Sequence, residues 1–415
     1  MVRADRAALM FEVKLCLTFR GHDKVVAYLL HRGANVNARG SQYTTALHSA
    51  VVVGKEGTVK MLLDAGADDE IAIICALPSE ADAVEGVFDC CWDGDDGRYG
   101  KAVGDTNAYT TGIIGRHPVV LAHMPSIGKG AATSVASNLR NSYKNIELAL
   151  VVGICGAAPQ TPNHEEILLA DVIISGGIIQ YDLGRRLPHS FIRKDSLLDN
   201  LGRPNPSIRS LLAKLHGRKN LVQLQELLGV HLAALQAKWP DQSVQCPGME
   251  HDVLFQSTYL HRHHQAPCSV CSIEEHQNGP ISQPAIQATC EELGCDTALT
   301  IRHQIARDEQ STINPRIHFG LMASGDSVIR SGVDRDALVQ RDGVIAFEME
   351  GAGAWDNLPC IVIKAVCDYA DSHKNKRLQS YAAATAAACT KAFLKEWVTN
   401  DGHPDIDYLT DEKAP

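Results

Sequence analysis

The sequence lacks three features that would direct the chain to particular partners. It has no excess of positive charge, because 39 Lys and Arg face 49 Asp and Glu, and it has no stripe of clustered basic residues. These absences argue against a generic nucleic-acid binder, since phosphate backbones require such a stripe. No apolar run approaches the roughly 18 residues that a membrane-spanning helix needs. The first twenty residues carry charges within their apolar part and no clear cleavage site, so we expect no signal peptide and a cytoplasmic protein.

The cysteines point to the same compartment. The chain has 13 of them, an odd number, and several lie inside apolar stretches, as Cys75, Cys155 and Cys360 do. Reduced, buried thiols of this kind are typical of cytosolic proteins and not of a secreted disulfide framework. A length of 415 residues with 45% hydrophobic and 21% charged residues is ordinary for a soluble protein of two or three domains.

A repeat occupies the N-terminal segment. Gly21 matches Gly54 and Gly33 matches Gly66, each at a spacing of 33 residues. Residues 21–33 and 54–66 each contain a leucine-bearing helix pattern. This period and the segment "TTALH" resemble the ankyrin repeat. We predict an all-α ankyrin remnant of about two repeats over residues 1–70, which is a candidate surface for a protein partner.

From residue 71 the pattern changes to apolar strands that alternate with helices. The predicted strands include "IAIICALP", "LALVVGICGAA", "GVIAFEME" and "CIVIKAVCD". Such alternation predicts an α/β domain whose mixed central sheet is covered by helices on both faces, in three layers, over residues 71–397. Residues 241–316, rich in Cys, His, Gln and Pro, are predicted to be an irregular insertion. Residues 398–415 are predicted to be a flexible acidic tail.

Two of the predicted strands end in groups suited to a site. Glu80 stands where the first strand turns into a helix, and Gly153 and Gly156 form a predicted glycine turn after a buried strand. Ligands in such folds bind at the carboxyl ends of strands. Each feature also has a plain structural explanation. A carboxylate is favoured at a helix N-terminus, and a tight turn needs glycine without any ligand.

Two further strand ends carry acidic residues. Glu348 and Glu350 lie in the run "VIAFEMEG" and, on a strand, would project to the same side, where carboxylates could accept from a sugar diol. An internal ion pair with Lys364 is the structural alternative. Asp368 ends the last predicted strand, where it could serve a ligand or merely cap the following loop.

Taken together, "IAIICALPSE", the glycine turn, "ASGDSVI", "FEMEGAG" and "CDYADSHKNK" resemble the nucleoside phosphorylase/nucleosidase superfamily, in particular fungal proteins that join this domain to ankyrin or other repeats. The resemblance covers about residues 71–397. It implies cleavage of the N-glycosidic bond of a purine nucleoside or nucleotide through a ribosyl cation-like transition state, with no cofactor.

The resemblance also implies roles for individual residues. The leaving base has to be protonated, and Asp368 matches the general acid that supplies the proton. Glu350 and the adjacent Met349 match the residues that hold the ribose hydroxyls, and a carboxylate there also stabilises the developing positive charge. Glu348 belongs to the same motif in a supporting role.

Three more positions are implied by the resemblance. Val328 and Ile329 match the segment that holds the purine, and residues 153–156 match the turn beneath the ribose. Lys364 occupies a position where relatives usually carry Arg, and we expect it to support the carboxylates.

The attacking group decides between two reaction types. Phosphorolytic relatives bind phosphate with arginines at the first strand and before the glycine turn, whereas this chain has "CALPSE" and Val151–Val152 there. Glu80 aligns with the carboxylate that hydrolytic methylthioadenosine/S-adenosylhomocysteine nucleosidases use to activate water. A carboxylate repels phosphate and orients water, so hydrolysis is favoured, with phosphorolysis as the alternative.

A metal site is a rival interpretation of the insertion. Its metal-binding residue types are His261, His263, His264, Cys268, Cys271, Cys290 and Cys295. A CxxC pair with a later Cys pair can bind zinc. However, the later pair is spaced by five positions in an irregular segment without a predicted rigid knuckle. We therefore predict a variable surface loop and no metal.

A binding protein is the alternative to an enzyme. Ankyrin repeats ordinarily bind proteins, so the domain could sense a nucleotide without turning it over. Sites in this superfamily are often completed by a neighbouring subunit, so the resemblance also suggests a homo-oligomer.

Overall fold

The structure is a computed structural model, and it describes residues 23–32, 34, 46, 50, 57–58, 61–62, 71–91, 101–196, 198–239, 244–248, 251–265, 268, 270–271, 281–301, 315–374 and 376–398. The predicted acidic tail, apart from its first residue, and most of the ankyrin segment lie outside these residues. The described helices are all too short or too polar to cross a bilayer.

The strands lie mainly where the apolar runs predict them. Their bounds are Ile71–Cys75 (β1), Cys90–Cys91 (β2), Ala108–Ile114 (β3), His117–His123 (β4), Leu148–Ala157 (β5), Val172–Gln180 (β6), Gly184–Leu187 (β7), Ser190–Arg193 (β8), Leu254–Phe255 (β9), Thr300–Ile301 (β10), Ile317–Ser324 (β11), Val344–Glu348 (β12) and Cys360–Asp368 (β13). The sequence did not predict β3, whose first half is polar, or the exposed hairpin of β7 and β8.

Within the described residues, nine strands form one mixed sheet in the order β12-β11-β6-β13-β5-β1-β4-β3-β2. The central strands β4, β1, β5 and β13 are parallel. β12 pairs with β11 and also, antiparallel, with β5, so that five strands close into a ring. β1 is buried along its whole length, which explains its unbroken apolar sequence. β13 is equally buried, although Lys364 and Asp368 interrupt its apolar residues.

Helices cover this sheet. Their bounds are Asp23–His31 (α1), Pro78–Gly86 (α2), Lys129–Ser142 (α3), Pro206–Leu215 (α4), Arg218–Lys238 (α5), Gln283–Gln287 (α6), Cys290–Leu293 (α7), Gly332–Asp342 (α8), Gly351–Trp355 (α9) and Gln379–Glu396 (α10). α10 contacts β5, β13, α2 and α5. Its run of buried alanines lets its backbone approach the sheet closely, which places it in the core.

The insertion is more ordered than its composition predicts. Between residues 251 and 301 the structure has the two-stranded pair β9–β10 and the short capped helices α6 and α7. Ser282 caps α6 and Thr289 caps α7, each accepting a hydrogen bond from the backbone N–H three residues on. The prediction of an irregular surface loop was therefore wrong for residues 281–301. Side-chain caps stabilise the short helices there, and hydrophobic periodicity does not detect helices of this length.

Candidate active site

Three strands meet at Gly156. Its partners in the sheet are Asp368 at the carboxyl end of β13 and Phe347 in β12. Three residues earlier in β5, Gly153 lies opposite Lys364. Because β12 runs antiparallel to β5, the residues that follow Phe347 return toward the level of Gly153. The topology therefore brings the predicted acidic residues to one end of the sheet.

Glu80 is fixed by backbone groups from two elements. Its Oε2 accepts hydrogen bonds from the N–H groups of Ala76 and Leu77, both at 2.9 Å, at the start of α2. Its Oε1 accepts from the N–H of Ile154 in β5 at 2.8 Å. The helix-terminal contact is the structural alternative that the sequence offered. The additional bond to β5 aims the carboxylate, only 2% exposed, into the convergence of the strands.

Lys364 is the buried cation among these carboxylates. Its Nζ lies 3.1 Å from Oε2 of Glu350 and 3.6 Å from Oε1 of Glu80, and the side chain is 1% exposed. Burial alone would lower the pKa of Lys364, but the charges of Glu350, Glu80 and Glu348 outweigh burial and raise it above its ordinary value. Lys364 therefore stays charged. We call Glu80, Glu348, Glu350 and Lys364 the carboxylate–lysine cluster.

Glu348 and Glu350 do not share one side of a strand, so that prediction was wrong. β12 ends at Glu348, and the chain turns into α9, with Glu350 at the N-cap position. Oε2 of Glu348 accepts from the N–H groups of Glu350 at 2.9 Å and Gly351 at 2.8 Å. Burial, followed by the charge of Glu350, raises the pKa of Glu348 above its ordinary value. Glu348 thus shapes the turn on which Met349 and Glu350 stand.

Among the described residues, one carboxylate oxygen of Glu350 accepts only a single long hydrogen bond. Its Oε2 faces Lys364, whereas Oε1 receives a long 3.4 Å hydrogen bond from the N–H of Gly128, just before α3. A carboxylate offers about four acceptor positions, so Oε1 retains capacity for further donors. The internal ion pair that the sequence left open is therefore present, and it does not use up this carboxylate.

Asp368 stands at the end of β13 beside a polar loop. Its Oδ1 accepts from the N–H of Ala370 at 2.8 Å, and Nζ of Lys374 lies 2.9 Å from the same oxygen. Ala370 has a positive φ of 53°, an uncommon conformation for a residue with a side chain. The loop thus folds back over Asp368, and the side chain of Asp368 is 8% exposed.

The two glycines lie inside β5 and not in a turn after it, which corrects the prediction. Both make room for carboxylates. A Cβ added to Gly153 would lie 1.9 Å from Oε1 of Glu80, and one added to Gly156 would lie 2.8 Å from Oδ1 of Asp368. Glycine is needed at these positions because the backbone and a carboxylate approach closely there.

The predicted purine segment lies in the loop between β11 and α8. Val328 is half-exposed, at 51%, and Ile329 packs against a small apolar cluster that includes Tyr181, Phe347 and Ala370. The hydroxyl of Tyr181 donates to the carbonyl of Ser327 and so fixes the start of this segment. Through Ala370 the same apolar cluster reaches the loop that covers Asp368.

Sequence reasoning missed the contribution of α3. The N–H of Lys129 donates to Oδ1 of Asp326 at 2.8 Å, and the Lys129 ammonium pairs with Asp182. These contacts join the start of α3 to the loop that carries Val328. The segment "SIGKGAAT" gave a usable signal, since its glycines precede a helix and an N-terminus can present free N–H groups.

The arrangement has a definite electrostatic character. In the carboxylate–lysine cluster two buried carboxylates, Glu80 and Glu350, contact one buried ammonium, and the third, Glu348, accepts from backbone N–H groups. Asp368 lies at the same end of the sheet, opposite Gly156. Lys364 and Lys374 are both already paired with carboxylates. A developing cation is stabilised in such surroundings, and a phosphate dianion is not.

Two family models match parts of the chain. The model described as phosphorylase superfamily matches residues 70–233, and the model described as ankyrin repeat matches residues 15–41 and 43–73. A nucleotide-binding leucine-rich repeat (NLR)-like protein of Hyaloscypha variabilis is 31% identical over 328 residues. These residues are 77% of this chain, and the chain spans only 28% of that relative's length.

Solved structures resemble the fold at low identity. A Helicobacter pylori 5′-methylthioadenosine/S-adenosylhomocysteine nucleosidase is 15% identical, with a TM-score of 0.44, over 80% of this chain and 100% of its own. Futalosine hydrolase of the same organism is 16% identical, with a TM-score of 0.43, over 79% and 98%. A Streptococcus pneumoniae MTA/SAH nucleosidase is 19% identical, with a TM-score of 0.43, over 79% and 100%.

Proposed function

Because this chain carries a domain of the phosphorylase superfamily behind ankyrin repeats, we propose that it hydrolyses the N-glycosidic bond of purine nucleosides or nucleotides, releasing free base and ribose. The observation that carries the proposal is the carboxylate–lysine cluster, in which the buried carboxylates of Glu80 and Glu350 contact one buried ammonium. Asp368 lies at the same end of the sheet, opposite Gly156. We infer that the substrate carries an adenine-type base, so adenosine-like compounds are the first to assay.

Departure of the base needs a proton. In this proposal Asp368 donates the proton to the purine, and Val328 and Ile329 lie alongside the ring. The Lys374 ammonium now engages both oxygens of Asp368, at 2.9 and 3.1 Å. It has to withdraw as substrate enters, because one of these two oxygens has to carry the proton that passes to the purine. The loop of residues 369–374 therefore adjusts on binding.

The sugar becomes cationic as the bond to the base breaks. Glu350 accepts hydrogen bonds from the ribose hydroxyls through Oε1, whose present donor is 3.4 Å away, with Met349 beside it. The uncompensated negative charge of the cluster stabilises the ribosyl cation, and in a water-poor site this effect is larger than in solution.

Water is the acceptor that the geometry favours. Glu80 receives three backbone hydrogen bonds, and the 3.6 Å contact with Lys364 is beyond hydrogen-bond range, so about one of four acceptor positions remains for a water proton. A phosphate would meet Lys364 already neutralised by carboxylates. This supports hydrolysis over phosphorolysis.

The test is release of free base by the full chain, measured by chromatography with phosphate present and absent. We expect adenosine-like nucleosides to release base equally in both, and Asp368→Asn to lose about 10²–10⁴-fold in kcat. Glu396→Gln, at an exposed ion pair with Lys214, is the matched carboxylate control and should keep full activity. Strict dependence on phosphate would reassign the reaction to phosphorolysis.

A second candidate function is nucleotide sensing coupled to protein binding. The NLR-like relative and the ankyrin match favour it, as does the pairing of Lys374 with Asp368. Calorimetry separates the two functions: if the full chain binds a purine nucleoside tightly and releases no base over many hours, the chain is a sensor.

A further inference from the structure

A second cluster of titratable side chains lies outside the carboxylate–lysine cluster. His261, Cys290, Cys295 and His373 place one nitrogen or sulfur atom each within 4.8 Å of all the others. Cys290 lies in α7 and Cys295 just after it, His261 lies earlier in the insertion, and His373 lies in the loop after β13. We call these four residues the Cys/His cluster. This grouping of donor atoms is at odds with the sequence prediction that the insertion holds no metal.

The distances fit one particular ion. Nδ1 of His261 lies 3.6 Å from Sγ of Cys290 and 3.7 Å from Sγ of Cys295, and Nδ1 of His373 lies 3.6 Å from Sγ of Cys290. Around a tetrahedral zinc with Zn–S of about 2.3 Å and Zn–N of about 2.0–2.1 Å, a sulfur and a nitrogen lie about 3.6 Å apart. The donors therefore already stand at coordination spacing.

Both imidazoles are held in the tautomer that a metal requires. Nε2 of His261 donates to the carbonyl of Ala288 at 2.9 Å, and Nε2 of His373 donates to the carbonyl of Tyr259 at 3.1 Å. With the proton on Nε2, the lone pair of Nδ1 in each ring points at the sulfurs. Metal-binding histidines are typically oriented in this way by a backbone carbonyl. Isolated thiol–imidazole contacts would not require both rings to be fixed alike.

The backbone around the sulfurs forms a compact turn. Thr289 and Glu292 form a capping box at the start of α7, and Gly294 ends the helix in the left-handed conformation with φ of 69°. The N–H of Cys295 then bonds to the carbonyl of Cys290 at 2.9 Å, which brings the two thiols together. This is the rigid frame that the sequence did not predict.

We propose that the Cys/His cluster binds a zinc ion with all four side chains as ligands. Two thiolates and two imidazoles in a tetrahedral set suit zinc better than magnesium or calcium, which prefer oxygen ligands. Four protein ligands leave no open position, so the ion is structural and takes no part in the chemistry at Asp368.

The ion would tie the insertion to the loop beside the candidate active site. His373 precedes Lys374, which contacts Asp368. The N–H of His261 donates to Oγ of Ser372 at 3.0 Å, and the ring of Phe255 stacks on His373 at 3.9 Å between centroids. Zinc at this point would fix one end of the loop that covers Asp368.

A neighbouring set provides a matched comparison. His263, Cys268 and Cys271 also gather their donor atoms within 4.8 Å, with Nδ1 of His263 3.5 Å from Sγ of Cys271. The described residues supply three donors here, against four in the Cys/His cluster. A Cys268→Ser/Cys271→Ser variant therefore replaces two cysteines of the same insertion without touching the proposed ligands.

The test is the metal content of the full chain, purified from zinc-supplemented cells and passed over a chelating resin. We expect about one zinc per chain by plasma mass spectrometry, and X-ray absorption with two sulfur and two nitrogen neighbours at the distances of a tetrahedral site. Cys290→Ser/Cys295→Ser should lose the metal, and Cys268→Ser/Cys271→Ser should keep it. Removing the metal from wild-type protein should speed amide exchange across residues 369–374.

Several results would overturn the proposal. They are a wild-type protein without stoichiometric zinc, a disulfide between Cys290 and Cys295 in intact-mass spectra, and a metal that stays in Cys290→Ser/Cys295→Ser but leaves Cys268→Ser/Cys271→Ser. Should the first variant fail to fold, the wild-type absorption spectrum decides alone, because a shell other than two sulfurs and two nitrogens contradicts the assignment.

Discussion

The carboxylate–lysine cluster and the Cys/His cluster each gather four titratable side chains, yet they are assembled differently. The first lies at the ends of buried strands and is held by backbone N–H groups of the sheet and its helices. The second lies in an insertion and is held by short capped helices and carbonyl contacts. Lys364 and backbone N–H groups hold the carboxylates of the first cluster without any ion, whereas the spacing of the donor atoms in the second is best explained by a bound zinc ion. Burial in a sheet and coordination of a metal are thus two ways to fix polar groups in one domain.

The largest effect should come from removing the cation of the first cluster. Lys364→Met leaves Glu80 and Glu350 buried without their counter-charge, and we expect a loss of about 3–5 kcal/mol in the free energy of unfolding. Denaturant titration measures this. Lys214→Met, which breaks an ion pair at a half-exposed lysine, should lose less than about 1 kcal/mol.

That comparison can be sharpened with a double variant. Adding Glu350→Gln to Lys364→Met removes one of the orphaned charges, so part of the stability should return. Equal stability of the single and double variants would mean that Glu350 is not paired with Lys364 in solution.

The next effect concerns catalysis. Glu350→Gln keeps the shape of the side chain but removes the charge that, in the proposed reaction, faces the ribosyl cation, and we expect kcat to fall about 10²–10³-fold. Steady-state base release measures it. The melting temperature should change little in comparison with Lys364→Met, and a variant that retains wild-type kcat contradicts the role given to Glu350.

A smaller effect tests the close approach at β5. Gly153→Ala would push a methyl group against Oε1 of Glu80, 1.9 Å from the ideal Cβ position, and should destabilise the fold by about 1–3 kcal/mol. Thermal unfolding measures the change. Gly202→Ala, where no atom lies within 4 Å of the added Cβ, is the matched control and should be near neutral.

The smallest effect is a pH dependence. Because burial raises the pKa of Glu348 above its ordinary 4.5, the group supports the fold fully at low pH, and this support is lost as pH rises through the folded-state pKa. Glu348→Gln removes the loss, so its stability relative to wild type should increase on going from acidic to neutral pH, by on the order of 1 kcal/mol.

Melting temperatures of both proteins across that pH range decide the matter. A constant difference between wild type and Glu348→Gln would show that Glu348 is not the titrating group. Cys290→Ser/Cys295→Ser leaves Glu348 unchanged, so the pH dependence that is due to Glu348 should persist in that variant.

Much of the candidate site could be predicted because its residues stand in short contiguous motifs. "CALPSE" places Glu80 at a strand end, and "FEMEGAG" places Glu350 just after another. The side to which Glu348 points could not be predicted, since it depends on where β12 stops. That point is set by the N–H groups of Glu350 and Gly351, which take Glu348 as their acceptor.

The sequence by itself determined the main buried strands and most of the helices between them, the ankyrin period and the acidic strand ends, because these depend on local spacing and on the burial of apolar runs. Only the tertiary structure decided that β12 closes onto β5, that Gly153 and Gly156 make room for carboxylates, and that His373 meets Cys290 from the other side of the insertion. Such contacts join residues far apart in the chain. Their distances depend on packing of the whole domain, which no local pattern contains.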